Sequence, residues 1–196
     1  MIIFVGGHGP LAGAHLFQVF MDEITRLYKN GGQGLPPDAA YPDCVLISVH
    51  SPEYNEFSGD FDFDEDMLYE HIDCWSYDED VVVVPLCVSI IPTIRKMGVN
   101  VVGMDDFINE ITTKGDVIGA SQYSVRNKVC GDNHTYCDMT EVIENPWIDV
   151  SDFIPENGSL ILGCTELSLT DWSDYDNVKD APTLFMKYLA ERCVYW

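Results

Sequence analysis

The chain has 196 residues, of which 33 are acidic and 10 basic, so its formal net charge is −23. Hydrophobic residues make up 46% of the sequence, which is enough to bury a core and argues against a disordered chain. The isoelectric point near 4.1 argues against binding to nucleic acids or anionic membrane surfaces, because both need clustered Lys and Arg.

Short apolar segments alternate with amphipathic ones along the chain. The patterns predict strands at 2–5, 45–49, 81–85, 99–104, 116–120 and 160–163. They predict helices at 11–28, with Pro10 at the first position, at 90–97, at 105–111 with Asp105 and Asp106 as caps, and at 182–193. This alternation is typical of an α/β fold with parallel sheets.

Functional groups of such folds collect where parallel strands end. Four segments of this chain follow predicted strands in that way, namely 6–10, 86–89, 120–124 and 163–166. Two of the four carry a cysteine, Cys87 and Cys164. These strand ends are therefore the predicted site.

The turn after the first strand, Gly7-His8-Gly9-Pro10-Leu11-Ala12, fits a weak form of the dinucleotide-binding fingerprint. A nucleotide site also needs an acidic residue after the second strand, where this chain has His50 and Ser51. We therefore favour a turn whose backbone amides bind a carboxylate.

Seven cysteines, an odd number, occur in a chain that opens on a short apolar strand rather than a secretory leader. This pattern predicts free thiols in a reducing cytoplasm. Cys130, His134 and Cys137 offer three zinc ligands, but no fourth follows at zinc-like spacing, and no metal is predicted.

Acidic residues are concentrated between positions 56 and 80, which hold 11 carboxylates, and no Lys or Arg occurs from 30 to 94. Asp60, Asp62 and Asp64 have calcium-loop spacing, but Glu65 stands where that loop needs glycine. We interpret the stretch as a solvated surface, with Phe57, Phe61 and Phe63 on a partly buried irregular strand or loop.

Three motifs together resemble the aspartate/glutamate racemase superfamily, and most closely its aspartate-racemase branch. The opening strand and its turn, 3–12, are similar to the branch's G-G-x-G-P-L-A segment, and 162–167 reads L-G-C-T-E-L as the branch does around its second catalytic cysteine. Residues 84–89 stand where the family has a strand followed by C-N-T, its first catalytic cysteine. Two further segments are more weakly similar to the family: Ser121-Gln122-Tyr123-Ser124 after a strand, and Asp180-Ala181-Pro182-Thr183 before the last helix.

The resemblance implies two pseudo-symmetric Rossmann-like halves with the active site in the cleft between them, 1–94 plus 182–196 and a shortened 95–181. It implies a homodimeric, cofactor-independent racemase of aspartate or a related acidic amino acid. Cys87 and Cys164 would be the acid/base pair. The residues expected to bind substrate are His8, Gly9, Val88, Ser89, Ser121, Ser124, Arg126, Thr165 and Glu166.

The sequence departs from the family at the first cysteine, where Val88 replaces an amide side chain. It also lacks the arginine that the branch places after the second strand, and Arg126 and Lys128 are the nearest replacements in the sequence.

Two thiols suit racemisation because one removes the α-proton from one face while the other protonates the opposite face. An ordinary thiol is only about 3% ionised at pH 7. We therefore expect helix N-termini and the hydroxyls of Ser89, Ser124 and Thr165 to favour the thiolates.

Two alternatives remain open. A superfamily relative with one catalytic cysteine would be a decarboxylase or a cis-trans isomerase. A catalytically inactive homologue would keep the fold and bind a carboxylate without turnover.

Overall fold

The computed structural model describes residues 1–6, 10–31, 41–48, 65–75, 80–145 and 147–194, and their strands form two parallel sheets. The first sheet has the order β2-β1-β3 and the second the order β5-β4-β6-β7. The strands are β1 (Ile2–Gly6), β2 (Cys44–Ser48), β3 (Val82–Pro85), β4 (Val117–Ala120), β5 (Thr135–Asp138), β6 (Leu160–Leu162) and β7 (Val178–Asp180). Every pairing is parallel, which confirms the α/β class.

Helices connect the strands and cover both sheets. They are α1 (Pro10–Asn30), α2 (Glu65–Asp73), α3 (Ile91–Lys96), α4 (Met104–Ile111), α5 (Gln122–Arg126), α6 (Thr140–Glu144) and α7 (Ala181–Val194). Within the described residues, short 3₁₀ helices lie at Val88–Ile90, Ser151–Phe153 and Thr165–Leu169. No helix in the described ranges has the length and hydropathy needed to cross a bilayer.

One apolar core joins the two sheets. Phe4 of β1 and Ile161 of β6 belong to the same buried cluster, with Leu16 of α1, Ile108 of α4 and Phe185 of α7 between them. Two further clusters cover the outer faces, and Cys87 lies in the one beside the first sheet while Cys164 lies in the one beside the second. The two cysteines therefore come from opposite sides of the fold.

The same strand order occurs in both sheets. In each, the first strand in the chain is central, the second pairs on one side of it and the third on the other, and β7 adds an edge to the second sheet. The cysteines occupy equivalent positions, because Cys87 follows the third strand of its sheet and Cys164 follows the third strand of the other. The boundary predicted between two halves stays a prediction.

The strands predicted at 2–5, 45–49, 81–85, 116–120 and 160–163 are present within one residue of those bounds. The strand predicted at 99–104 is wrong. Only Val101 forms a bridge, to Val83, because the chain turns at Gly103 and helix α4 begins at Met104.

The predicted capping role of Asp105 and Asp106 is also wrong. Gly103 is the N-cap of α4 and the carboxylates lie inside its first turn, where both bind the Arg95 guanidinium, at 2.6 Å and 2.8 Å. At the last helix Asp180 does cap, because its Oδ1 accepts a hydrogen bond of 3.1 Å from the backbone N–H of Thr183.

The acidic stretch is only partly described. The proposed irregular segment at 57–63 lies outside the described residues, whereas Glu65–Asp73 forms α2, an element that the sequence did not predict. Leu68 and Ile72 of α2 pack on the outer face of the first sheet.

Candidate active site

A cavity of about 180 Å³ lies where the strands of both sheets end. Its described lining is Cys87, Ser89, Ser121, Gln122, Tyr123, Thr140, Ile143, Glu144, Cys164 and Glu166. Each of these residues follows the carboxyl end of β3, β4, β5 or β6, as expected for a ligand site in a parallel α/β fold. The volume suits a ligand of amino-acid size rather than a nucleotide.

The first cysteine stands at a tight change of direction. Cys87 has extended backbone angles, φ −124° and ψ 128°, and the 3₁₀ helix Val88–Ile90 begins directly after it. Its side chain is only 3% exposed, and its Sγ shares a hydrogen bond of 2.9 Å with the Ser89 Oγ. The sulfur is thus buried but reaches the cavity together with the hydroxyl two residues later.

The second cysteine repeats this geometry with a different partner. Cys164 has φ −131° and ψ 138°, is 4% exposed, and precedes the 3₁₀ helix Thr165–Leu169. Its Sγ donates a hydrogen bond of 2.8 Å to the Glu166 Oε2, and the Thr165 Oγ1 donates to the same oxygen at 3.1 Å. Glu166 is therefore the hydrogen-bond acceptor of the Cys164 thiol.

Gly163, the residue before Cys164, lies in close contact with β4, where a side chain would not fit without a shift. A Cβ at Gly163 would stand 2.8 Å from the Ile118 Cγ2 and 3.3 Å from the Gly119 carbonyl oxygen of β4. The Gly163 N–H instead donates a hydrogen bond of 2.8 Å to that carbonyl, which continues the pairing of β6 with β4 up to the cysteine. A side chain at position 163 would push Cys164 away from its place.

Burial and a neighbouring carboxylate oppose ionisation of both thiols. Burial, with Glu166 as the second cause, raises the pKa of Cys87 to about 12, although the hydrogen bond from Ser89 works in the opposite direction. Burial and then Glu166 raise the pKa of Cys164 well above its usual range, and Cys87 adds to the effect. Both sulfurs are therefore thiols at neutral pH.

This outcome corrects the expectation that local donors favour the thiolates. Ser89 acts in that way on Cys87 but is outweighed by burial. The Thr165 hydroxyl donates to Glu166 rather than to a sulfur, and the Ser124 hydroxyl accepts a hydrogen bond of 3.3 Å from Ser121. The hydrogen bond that the Cys164 thiol donates to Glu166 is itself one of the causes that raise the pKa of this thiol.

A second group of polar side chains faces the sulfurs from β4 and β5. The Gln122 backbone N–H donates a hydrogen bond of 2.8 Å to the Thr140 Oγ1, which in turn donates to the Asp138 Oδ1 at 2.7 Å. This link ties the segment after β4 to the segment after β5. These hydrogen bonds fix the Gln122 backbone and the Thr140 side chain relative to each other.

The structure brings together five of the residues predicted for the site: Cys87, Ser89, Ser121, Cys164 and Glu166. Thr165 and Ser124 are buried beside the cavity and contact its lining without lining it themselves. Val88 is fully buried in the core between the sheets, and Arg126 is exposed at the end of α5; neither lines the cavity. His8 and Gly9 lie outside the described residues.

Part of the lining escaped the sequence analysis. Thr140, Ile143 and Glu144 follow β5, a short strand of mixed polarity that was not predicted. Gln122 and Tyr123 lie within the segment 121–124 that resembles the family, but neither is among the residues predicted for the site. Recognition of Thr135–Asp138 as a strand would have directed attention to the residues after it.

The alternative zinc site does not assemble. Within the described ranges no group of three His, Cys, Asp or Glu side chains is placed to bind a metal ion. His134 contacts Asn109, with its Nε2 2.5 Å from the Oδ1, while Cys130 is buried in the core between the sheets.

Two parallel sheets of matching strand order, with a cysteine after the third strand of each and one cavity that both cysteines line, define a protein with the aspartate racemase fold. An aspartate racemase homologue from Pyrococcus horikoshii has a similar structure, with a TM-score of 0.57 and 16% sequence identity over 98% of each chain. The aspartate racemase of Picrophilus torridus gives a TM-score of 0.62 and 15% identity, over 97% of this chain and 94% of the other. No protein-family model and no curated protein sequence matches the chain. The likeness confirms the fold expected from the sequence resemblance.

Proposed function

We propose that the protein is a cofactor-independent amino-acid racemase in which Cys87 and Cys164 are the acid/base pair. The observation that carries this proposal is that the two buried cysteines, one from each sheet, line a single cavity of amino-acid size. Each also has a polar partner two residues later in the chain. The aspartate racemase fold supports the same reaction class.

The reaction begins on the side of Cys164. Its thiol proton passes to the Glu166 Oε2, which leaves a thiolate. The thiolate removes the α-proton of the bound amino acid, and the Cys87 thiol protonates the carbanion on the opposite face. The Cys87 thiolate then recovers a proton while Glu166 returns its own, directly or through solvent, so no net proton is gained or lost.

Substrate charge helps to start this sequence. Both thiols are hard to ionise in the cavity, and a positive α-ammonium group near the sulfurs favours the thiolate over the thiol. We assign the hydroxyls of Ser89 and Ser121, two residues that line the cavity, to binding of the α-carboxylate. The backbone amides near His8 and Gly9 stay a prediction for the same role, as do homodimer formation and a cytoplasmic location.

A screen for α-proton exchange tests the proposal. Each of a panel of L- and D-amino acids is incubated with the protein in D₂O, and deuterium at the α-carbon is followed by NMR. We expect exchange with at least one amino acid, accompanied by loss of optical activity. Cys130→Ala is the matched control, because Cys130 is equally buried and has its pKa raised to about 12, but lies in the core away from the cavity.

Exchange by the Cys130→Ala variant at the unmodified rate, with a loss of about 10²-fold or more in both Cys87→Ala and Cys164→Ala, would support the proposal. No exchange with any amino acid would contradict it and favour a carboxylate-binding protein without turnover.

One observation favours a second candidate. Among the described residues, the hydrogen-bond acceptor of the Cys164 thiol is a carboxylate, whereas the hydrogen-bond partner of Cys87 is a hydroxyl. A single-thiol enzyme, such as a decarboxylase or a cis-trans isomerase, would need Cys164 and Glu166 alone. Such an enzyme would keep its activity in the Cys87→Ala variant.

A further inference from the structure

We infer that the cavity selects amino acids with a cationic side chain, and that Glu144 binds the distal cation. The inference rests on the proposed racemase function, because it concerns the substrate of the same site. It departs from the acidic substrate that the sequence resemblance implies, and the charges around the cavity are the reason.

The described lining of the cavity carries two carboxylates, Glu144 and Glu166, and no lysine or arginine. This absence extends beyond the described residues. All 10 lysines and arginines of the sequence fall within the described ranges, so the remaining segments contribute none, and His8 and His50 are the residues there that can become cationic. No guanidinium or ammonium group therefore lines the cavity in the described structure.

Several of the basic side chains are already neutralised elsewhere. Four form ion pairs with carboxylates outside the cavity: Arg26 with Glu23, Arg95 with Asp105 and Asp106, Lys128 with Asp132, and Lys179 with Asp116. Arg126 and Lys128, the two candidates for holding a distal carboxylate, are exposed and do not line the cavity. A dicarboxylate would thus bring a further negative charge beside two others without a cation to offset it.

The two carboxylates have different surroundings. Glu166 already accepts hydrogen bonds from Cys164 and Thr165, which assigns it to the reacting end of the cavity. Glu144 is exposed at the end of α6, and its carboxylate has no hydrogen-bond or ion-pair partner among the described residues. It is therefore available to a ligand that extends from the sulfurs toward solvent.

Apolar surface lies along the same path. Ile143, the neighbour of Glu144, lines the cavity, and so does Tyr123 of α5. A chain of methylene groups would pack on these two residues while its terminal charge meets Glu144. Lysine and ornithine have this combination of an alkyl stem and a terminal ammonium group, whereas aspartate has neither.

The experiment compares α-proton exchange for L-lysine, L-ornithine, L-norleucine, L-aspartate and L-glutamate. Norleucine has an alkyl side chain of similar length to that of lysine but no charge. We expect kcat/KM for lysine or ornithine to exceed that for norleucine at least tenfold, and that for aspartate by a larger factor. Glu144→Gln should bring lysine down to the value for norleucine, and Glu144→Lys should raise the value for aspartate.

Glu141→Gln is the matched control, because Glu141 is exposed on the same helix but does not line the cavity. Circular dichroism checks that all variants are folded. Exchange of aspartate as fast as that of lysine, or an unchanged lysine-to-norleucine ratio in Glu144→Gln, would overturn the inference and leave the racemase proposal intact.

A lack of exchange with every amino acid would instead contradict the racemase proposal. Calorimetric titration of the unmodified protein with lysine and with aspartate then decides the inference separately. Tighter binding of lysine supports it, and equal or weaker binding of lysine overturns it.

Discussion

The two cysteine turns share a backbone and differ in the side chain that meets the sulfur. Cys87 and Cys164 both follow the third strand of a sheet, both have extended angles and both precede a 3₁₀ helix. In each turn the residue two positions later contacts the sulfur, but this is the Ser89 hydroxyl in one and the Glu166 carboxylate in the other. The backbone conformation is thus the same in both turns, and the side chain bonded to the sulfur is different.

The difference separates two roles that a symmetric pair would share. A hydroxyl can donate to a thiolate and stabilise it, and Ser89 lowers the pKa of Cys87 in this way. A carboxylate cannot donate when ionised, but it can take the thiol proton. Glu166 accordingly raises the pKa of both thiols and accepts the hydrogen bond of Cys164, and in the proposed reaction it would take that proton. We expect Cys164 to depend on a base and Cys87 to depend on a donor.

Replacement of either sulfur is the strongest test of the comparison. Cys87→Ala and Cys164→Ala should each reduce racemisation by about 10²-fold to 10⁴-fold, the range typical of general acid/base groups. Polarimetry with the best substrate of the exchange panel measures the loss. If Cys87→Ala keeps its activity while Cys164→Ala does not, the two turns are not a pair and the single-thiol alternative holds.

Removal of the Glu166 charge should lower the activity while it makes the Cys87 thiol more acidic. Glu166→Gln deprives Cys164 of its proton acceptor, so we expect kcat to fall by about 10²-fold. The same change removes a negative charge that raises the pKa of Cys87, so alkylation of Cys87 by iodoacetamide at pH 8 should become faster.

Mass spectrometry of the alkylated peptides measures the second effect, and Glu141→Gln, at an exposed position of α6 that does not line the cavity, is the control. A parallel fall in activity and in alkylation rate would show that Glu166 supports the structure of the turn rather than the proton transfer.

Both turns bury a protonated thiol, and this makes the folded state sensitive to alkali. The pKa of Cys87 is about 12 in the folded protein and about 8.5 in an unfolded chain. Between these values the unfolded state has lost a proton that the folded state keeps, so stability falls as pH rises. One such thiol contributes about 1 kcal/mol of this loss between pH 8.5 and 9.5.

Urea unfolding at the two pH values measures the effect. Cys87→Ala should make the fall in the free energy of unfolding between the two pH values smaller by about 1 kcal/mol. Cys74→Ala, at an exposed site, serves as the control. An unchanged loss in Cys87→Ala would mean that Cys87 ionises as readily in the folded protein as in the unfolded chain.

The strands of the two sheets differ in how well their sequence pattern predicts them. Strands β1 and β3 are apolar runs buried on both faces, and such runs are readable without tertiary information. Strand β5 is not, because Thr135–Asp138 is exposed at both ends and only half-buried in the middle, at the edge of its sheet, and among the described strands pairs with β4 alone. The lining residues after β5, Glu144 among them, were therefore missed together with the strand.

The cysteines themselves were predictable, but their electrostatics were not. The motifs identified Cys87 and Cys164 as candidates, whereas the acceptor role of Glu166 depends on a side-chain orientation that spacing does not determine. The same holds for Thr165, whose hydroxyl turns to Glu166 and not to the sulfur. The order of motifs along the chain predicts candidate site residues, whereas the partner of each hydrogen bond is known only from the folded structure.

The smallest expected effect comes from the hydroxyl of the first turn. Ser89→Ala removes a hydrogen bond that lowers the pKa of Cys87, so its pKa should rise and its alkylation at a fixed pH should slow. A single hydrogen bond contributes about 1 kcal/mol, which corresponds to roughly a fivefold change in rate. Alkylation of Cys164 in the same sample is the internal control and should change less, because its partner Glu166 is intact. An equal slowing at both cysteines would show that Ser89 shapes the whole cavity, and the assignment of a donor to one sulfur and a base to the other would then fail.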